Sequence, residues 1–415
     1  MKILAIETSC DDTAIALVEA SGTTSAPKFK VLKSIISSQI EIHRPWGGVV
    51  PNLAKREHIQ NLPKVFRQIF NNQFPIPNFQ INPKNKIKNK KNVEKIDAIC
   101  VTVGPGLEPA LWAGITFAKE IYKKLKTENP TKTGLSQRLM SPGFKPWAGK
   151  LKLIGVNHLE GHLYSFLLSQ KTVMTNSELQ ILKKNRKIGK SEIDSKFEFR
   201  NSKLFPSVAL IVSGGHTILL KMDSLIKWKK LGETKDDAVG ESFDKVAKML
   251  GFPYPGGPEI QRLAEKGDPN AIRFPRPMIG SKDYNFSYSG LKTSVLYYLR
   301  DNNYQYKSAK NPYKSTFVAN VAASFQEAAL DVLVKKTERA AREYGAKSIF
   351  LSGGVAANKV LRNKLSAMSN GLGANFFAPP MDFNTDNAVM IAVAGYMSIL
   401  RKKNRKFVAN GNMGI

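Results

Sequence analysis

The chain has 415 residues, 42% of them hydrophobic, and 63 Lys and Arg against 33 Asp and Glu give a formal charge of +30. That length exceeds one ordinary core and predicts two domains, while no apolar run approaches the roughly 20 residues that cross a bilayer. Two cysteines without paired spacing exclude a disulfide framework, and an apolar run already at Ile3 to Ile6 leaves no room for a leader peptide, so a cytoplasmic protein is expected, with no membrane partner.

Three segments dominate the charge. Residues 81–96 carry six Lys against one Glu, 121–150 seven basic residues against one acidic, and 171–203 nine against four. All three read as insertions, so about half of the excess is expected on solvated insert surface. The remainder is still basic and points to a polyanionic partner, nucleic acid ahead of lipid.

Residues 2–6 and 14–19 are predicted as strands joined by the polar turn Glu7 to Thr13, with a third strand near 30–38. Pro51 to Phe70 has helical spacing of Leu53, Ile59, Leu62 and Val65, and Pro63 is expected to bend or break that helix. Residues 71–95 and 125–150 are rich in Lys, Asn and Pro and are predicted as loops. Between them, Ile96 to Val103 is a buried strand ending in Gly104-Pro105-Gly106, and a helix follows from Pro109. Leu151 to Val156 is a further strand, leading into a helical turn with His158 and His162.

A fresh domain is predicted from Phe205. Val208 to Val212 is a strand, Ser213-Gly214-Gly215 a turn, and Thr217 to Leu220 the hairpin return. Helices are expected over Glu241–Leu250, Pro258–Ala264 and about Lys314 to Tyr344. Ser348 to Leu351 is a strand that again ends in Ser-Gly-Gly, with a helix opening at Ala356, and Asp386 to Leu400 is a helix packed on both sides. Alternating strands and helices imply α/β architecture in both halves.

Only five histidines occur in the chain, and two of them sit four apart at 158 and 162. That spacing puts both rings on one face of a helical turn, where two neutral imidazoles can grip one transition metal if a carboxylate completes the set. Gly-rich turns after buried strands hold phosphates through backbone N–H groups, and several such turns favour a nucleotide cleft. The turn at 7–13 adds the carboxylates Glu7, Asp11 and Asp12, which beside a phosphate act through a cation or orient water. Glu241 and Asp244, three apart, can share a helix face and accept ribose hydroxyls; the plainer alternative is a helix N-terminal charge effect. Gly256-Gly257 would let backbone approach a sugar or base closely. Asn358 reads as a helix cap before it reads as a nucleotide contact.

Taken in order, the motifs Glu7-Thr8-Ser9-Cys10-Asp11-Asp12-Thr13, His158-Leu159-Glu160-Gly161-His162, Val212-Ser213-Gly214-Gly215-His216-Thr217, Gly240-Glu241-Ser242-Phe243-Asp244-Lys245, Tyr254-Pro255-Gly256-Gly257-Pro258, Phe286-Ser287-Tyr288-Ser289-Gly290-Leu291-Lys292-Thr293, Ser352-Gly353-Gly354-Val355-Ala356-Ala357-Asn358 and Thr385-Asp386-Asn387 resemble the tRNA N6-adenosine threonylcarbamoyltransferase (TsaD) family in its bacterial form. The resemblance covers the chain outside the three insertions. It implies a two-domain actin-like ATPase (ASKHA) fold, mixed sheets flanked by helices around a central cleft. The first domain would span 1–204 and take back the C-terminal stretch 385–415, with the second over 205–384.

The implied activity is transfer of threonylcarbamoyl from threonylcarbamoyl-AMP to N6 of adenosine 37, in tRNAs reading codons that begin with A. On that resemblance His158, His162 and Asp386 would hold one divalent metal, iron ahead of zinc. Ile211, Val212, Ser213, Gly214, Gly215, Asp244, Gly257 and Asn358 would bind the adenylate, and Glu7 and Asp11 would lie near the phosphate in a catalytic role. The implied partners are tRNA, a degenerate paralogue (TsaB-like) and a small ATPase (TsaE-like), the adenylate coming from a separate enzyme.

Four positions depart from the family pattern: Asn52 for a usual Glu, Glu108 for a small or apolar residue, Gln261 for a frequent Asp tied to ribose contact, and Ala388 for Gly. Two other enzyme classes compete. A zincin peptidase needs Glu directly after the first His, and Leu159 stands there instead. A kinase or ATPase of the same fold shares the phosphate turns but has no use for the His–His–Asp set. A non-enzymatic nucleic-acid binder would account for the charge but not for the cleft motifs.

Overall fold

The computed structural model describes residues 1–70, 95–126, 151–168, 204–305 and 315–415. Of the segments read as insertions, 81–94, 127–150 and 171–203 lie outside those residues, whereas Lys95 and Ile96 are described and 121–126 prove to be the end of a helix that starts at Glu108.

Strands β1 (Lys2–Glu7), β2 (Asp12–Gly22) and β3 (Pro27–Ser38) form an antiparallel meander. β4 (Ala98–Gly104) and β5 (Lys152–Asn157) add in parallel on the far side of β1, giving the order β3-β2-β1-β4-β5. Side chains alternate across a pleated strand, so Ile3 and Ala5 enter one core and Leu4 and Ile6 another. After the single turn α1 (Ile40–His43), helices α2 (Pro51–Ile69) and α3 (Glu108–Lys126) fill the second core.

α2 runs through Pro63 without a break, because the proline is buried beside Leu62, Val65 and Phe66 and that packing offsets the lost backbone bond. Its buried face also differs from the expectation. Ile59 is half exposed, and His58 takes the inward position between Ala54 and Leu62.

β6 (Ser207–Val212), β7 (Thr217–Ser224) and β8 (Lys227–Glu233) repeat the meander, and β9 (Ser348–Ser352) and β10 (Asn375–Phe377) repeat the parallel pair. The order β8-β7-β6-β9-β10 matches the first sheet strand for strand. This twofold recurrence of one winding is what an actin-like fold requires, and the repeated strand-to-Gly-Gly pattern was its trace in the sequence. β8 and β10 escape a sequence reading because one is a Lys-rich edge strand and the other only three residues long.

Helix α4 (His158–Tyr164) follows β5 directly. In the second half, α5 (Val239–Met249), α6 (Gly256–Ala264), α7 (Ser289–Asp301), α8 (Thr316–Glu343) and α9 (Lys359–Gly371) surround the sheet. Among the described residues α8 alone is long and apolar enough to cross a membrane, and its apolar stretch is 72% buried inside the protein, as suits a core helix.

The last helix, α10 (Ala388–Leu400), is buried from Ala388 to Ser398 and packs against β1, β2, β4 and β5 of the first sheet. A helix apolar all round belongs inside. The two halves share core as well: Phe166, after α4, stacks on Phe350 of β9 with ring centroids 3.8 Å apart.

Candidate active site

The parallel strands β1, β4 and β5 all end on the same edge of the first sheet, and β6 and β9 do so in the second. In open α/β sheets ligands bind outside these carboxyl ends. The loop after β1, the helix after β5 and the Ser-Gly-Gly turns after β6 and β9 therefore face a common cleft.

Asn157 ends β5 and caps α4, accepting the Glu160 N–H at 3.1 Å. With the helix so anchored, His158 and His162 project together, their ring centroids 4.7 Å apart. Asp386 approaches from the loop before α10, its Oδ1 3.4 Å from His158 Nε2 and 3.1 Å from His162 Nε2. Asp386 precedes the helix rather than lying on it: Asn387 is the cap, accepting the Met390 N–H at 2.9 Å, and this fixes the residue before it. One donor atom from each of the three lies within 4.8 Å of the others.

Several features fit this trio to a metal. Both ring nitrogens of His162 are fully buried without a hydrogen-bond partner, since the approach of Asp386, though close, lacks hydrogen-bond geometry. Burial also lowers His162, keeping it neutral as a ligand must be. Burial would depress His158 too, but Asp386 and Glu7 together push it up to about 10, so the pocket calls for positive charge. Against the burial that opposes it, His158 and His162 hold Asp386 well below the usual carboxylate range.

Glu7 stands behind this group, fully buried. Its Oε1 accepts the Ser9 N–H and its Oε2 accepts the Thr102 hydroxyl, each at 2.5 Å, while His158 Nδ1 lies 3.3 Å from Oε2 and 3.1 Å from Ser9 Oγ. Burial would raise Glu7, and its contacts with His158 hold it lower. A carboxylate so placed orients an imidazole from behind. Asp11, at the rim of the same loop, accepts a hydrogen bond from the Tyr254 hydroxyl at 3.3 Å, joining the first half to the entrance of α6.

The nucleotide candidates divide by what they expose. Ile211 and Val212 are fully buried strand residues whose side chains belong to the cores, so only their backbone can meet a ligand. Ser213 turns the chain, its hydroxyl accepting the His216 N–H at 3.2 Å, and Gly214, Gly215 and Gly257 each face open space where a Cβ would stand. Gly256 is different: a Cβ there would meet Ala247 Cβ at 2.4 Å, so it serves helix packing. Asp244 accepts the Gly256 N–H at 2.7 Å, and burial pushes it up to about 6 against that bond and one from Gly257.

Asn358 caps α9 through Leu361 N–H at 3.0 Å and donates to Gln326 at 2.8 Å, which occupies both ends of its amide. Glu241 pairs with Lys245 on the surface. Asp236, a few residues before that pair, takes the N–H groups of Tyr288 and Ser289 and so anchors the start of α7.

The departures and the peptidase reading are also settled by contacts. Gln261 Oε1 accepts the Lys359 N–H at 2.9 Å, Glu108 Oε1 accepts that of Gly411 at 3.2 Å, Asn52 is exposed in the first turn of α2, and Ala388 is buried. Glu160, the only carboxylate between the two histidines, turns away to Arg405 at 2.9 Å, with Lys403 at 3.3 Å and Arg401 at 3.6 Å. It cannot act as the base of a peptidase.

Sequence reasoning passed over Gln39, His43 and His58, which form a buried polar network with Thr13 under the loop after β1. A histidine on the apolar face of α2 was the available signal.

A family model described as TsaD, tRNA N6-adenosine threonylcarbamoyltransferase, matches residues 30–129 and 194–393. The chain is 41% identical over 397 residues to the tRNA N6-adenosine threonylcarbamoyltransferase of Thermosipho melanesiensis, covering 95% of this chain and 94% of that one. It is 38% identical over 406 residues to the protein of the same name from Fervidobacterium nodosum, covering 97% and 95%. Among solved structures, full-length HypF in a phosphate- and nucleotide-bound form aligns over 96% of this chain and 46% of its own at 12% identity, with a TM-score of 0.46 that is too low to bear on the fold.

Proposed function

Because this chain belongs to the tRNA N6-adenosine threonylcarbamoyltransferase family, we propose that its cleft performs that transfer with threonylcarbamoyl-AMP as donor and N6 of adenosine 37 as acceptor. The enzyme is a transferase and its substrate is tRNA. The observation that supports the chemistry best is the buried trio of His158, His162 and Asp386, with the unpartnered ring nitrogens of His162.

Two imidazoles and one carboxylate suit a single divalent ion, iron ahead of zinc. Bound there, the ion supplies electrophilic polarisation of the carbamoyl carbonyl and a counter-charge for the departing phosphate. The protein does the rest. Glu7 and Ser9 fix the His158 ring from behind. The Ser213 N–H is taken by the His216 carbonyl at 2.8 Å, so the N–H groups of Gly214 and Gly215 would serve the adenylate phosphate, and Asp244, on the helix whose Gly240 packs against Gly214, would serve the ribose with Gly257. Holding donor and acceptor together converts attack by a weak nucleophile, the exocyclic amine, into a positioned step. A TsaB-like paralogue and a TsaE-like ATPase are the partners we assign to it.

Incubation with threonylcarbamoyl-AMP, unmodified tRNA and those partners should yield the threonylcarbamoylated nucleoside by mass spectrometry. His158→Ala/His162→Ala should yield none. No product from the wild-type protein with every partner present would sink the assignment.

A further inference from the structure

The loop that carries Ser9 and Asp11 is gripped by groups that no part of the transfer chemistry requires. Gln39, His43 and His58 are each fully buried. His58 Nε2 lies 2.9 Å from the Cys10 carbonyl, which can only accept, so the proton is on Nε2 and Nδ1 carries a lone pair. Into that lone pair point the Thr13 hydroxyl at 2.7 Å and the Gln39 amide at 3.2 Å. Gln39 Oε1 in turn lies 3.1 Å from His43 Nε2, and His43 Nδ1 accepts the Val50 N–H at 3.3 Å.

Every donor therefore meets an acceptor in one direction only: Val50 to His43, His43 to Gln39, Gln39 to His58, His58 to Cys10. Gln39 adds a backbone grip, its N–H on the Asp11 carbonyl at 2.9 Å. Burial lowers both histidines, in keeping with two neutral rings. Buried polar groups left half-satisfied are costly, so a fully directional chain rigidifies what it holds.

We propose that His58, backed by Gln39 and His43, is a positioning residue for the transfer reaction, fixing the loop from Thr8 to Asp11 so that Ser9 holds the His158 ring and Asp11 meets Tyr254. The network leaves the α2 entrance at Val50 mechanically continuous with the metal-bearing face of the cleft. This rests on the activity proposed above, and its test separates the two.

The amide nitrogen of Gln can stand where His Nε2 stands, and the amide oxygen of Asn where Nδ1 stands. His58→Gln keeps the bond to Cys10; His58→Asn keeps the acceptor for Thr13 and loses that bond. Both variants should lose thermal stability to a similar degree. His58→Gln should retain kcat within about threefold, while His58→Asn should lose it roughly tenfold to hundredfold, the cost of a small misplacement, with KM for tRNA and adenylate within about threefold in both.

Hydrogen exchange at the amides of residues 8–12 should quicken in His58→Asn alone. In the wild-type protein, long-range proton–nitrogen NMR should find both rings neutral with the proton on Nε2, a reading independent of activity and of whether any variant folds. Equal loss of kcat in the two variants in step with stability, unchanged kcat in both, or a His58 proton on Nδ1 would overturn the inference. Failure of the wild-type protein to make the nucleoside, with the exchange and NMR results as expected, would fault the assigned reaction and leave the positioning intact.

Discussion

Asp244 is the one titratable side chain in the proposed adenylate site, and its charge lies near the working range. In the proposed site its carboxylate would have to be ionised to accept two ribose hydroxyls, and burial pushes it up to about 6. Above that value the acceptor is present; below it the proton blocks it. Affinity for AMP, measured by calorimetry, should therefore fall about tenfold from pH 7.5 to pH 5, in proportion to the ionised fraction, and Asp244→Asn should be weak at both and flat between them. The trio proposed to hold the metal has a different signature. Removing one of three ligands leaves two, too few to compete with solvent, so Asp386→Asn should carry less than about a tenth of the wild-type metal by elemental analysis after dialysis. Glu7→Gln should keep most of the metal and lose rate, since Gln preserves the shape behind His158 but not the charge that orients it.

At the level of single elements, α4 depends on its two ends. Asn157 caps it and also donates to the Gly414 carbonyl at 2.8 Å, so one side chain ties the ligand helix to the C-terminal tail. Asn157→Ala should cost about 1–2 kcal/mol in urea unfolding. Arg405→Ala removes the closest partner of the buried Glu160 carboxylate and should cost about 3 kcal/mol, leaving Lys403 and Arg401 to compensate in part. These elements also show what could be read in advance. β1, β4, β5 and β9 are short apolar runs closed by Gly or by polar turns, and α8 carries an unbroken helical period, so each announced itself locally. The His pair was visible as a spacing, but Asp386 joined it only through a family pattern, because nothing local in a loop before a helix marks a ligand. Of the Gln39–His43–His58 network only one sign was legible, a histidine on the apolar face of α2. The network is assembled from a strand end, a single turn and a helix face, and its meaning lies in directions of hydrogen bonds that a sequence does not carry. Gln261 shows the reverse case: a substitution that looked like a weakened sugar contact turns out to hold the N-terminus of α9.

For the whole molecule the excess of 63 basic over 33 acidic residues is a statement about tRNA. Binding that releases counterions weakens steeply with salt, so tRNA affinity should drop at least about tenfold between 50 and 200 mM salt. The affinity for AMP, a small ligand that the proposed site would hold largely by backbone and one carboxylate, should change less than about twofold over the same range. An equal response of the two ligands would show that the basic surface does not meet the tRNA. The placement of α10 has a consequence in the life of the chain before it is an enzyme. The first sheet is laid down by residue 157, yet the helix that covers Ile3, Ala5, Ala14 and Ala16 begins only at Ala388. At a synthesis rate of roughly 5–20 residues per second, the nascent protein carries that uncovered apolar face for roughly ten seconds to a minute while the second sheet is still being made. Residues 1–204 produced alone should therefore aggregate, and a peptide of 385–415 supplied alongside should rescue their solubility. The same delay withholds Asp386 until the last helix is in hand, so a ribosome that stops early releases a chain with two of the three proposed metal ligands and not the third.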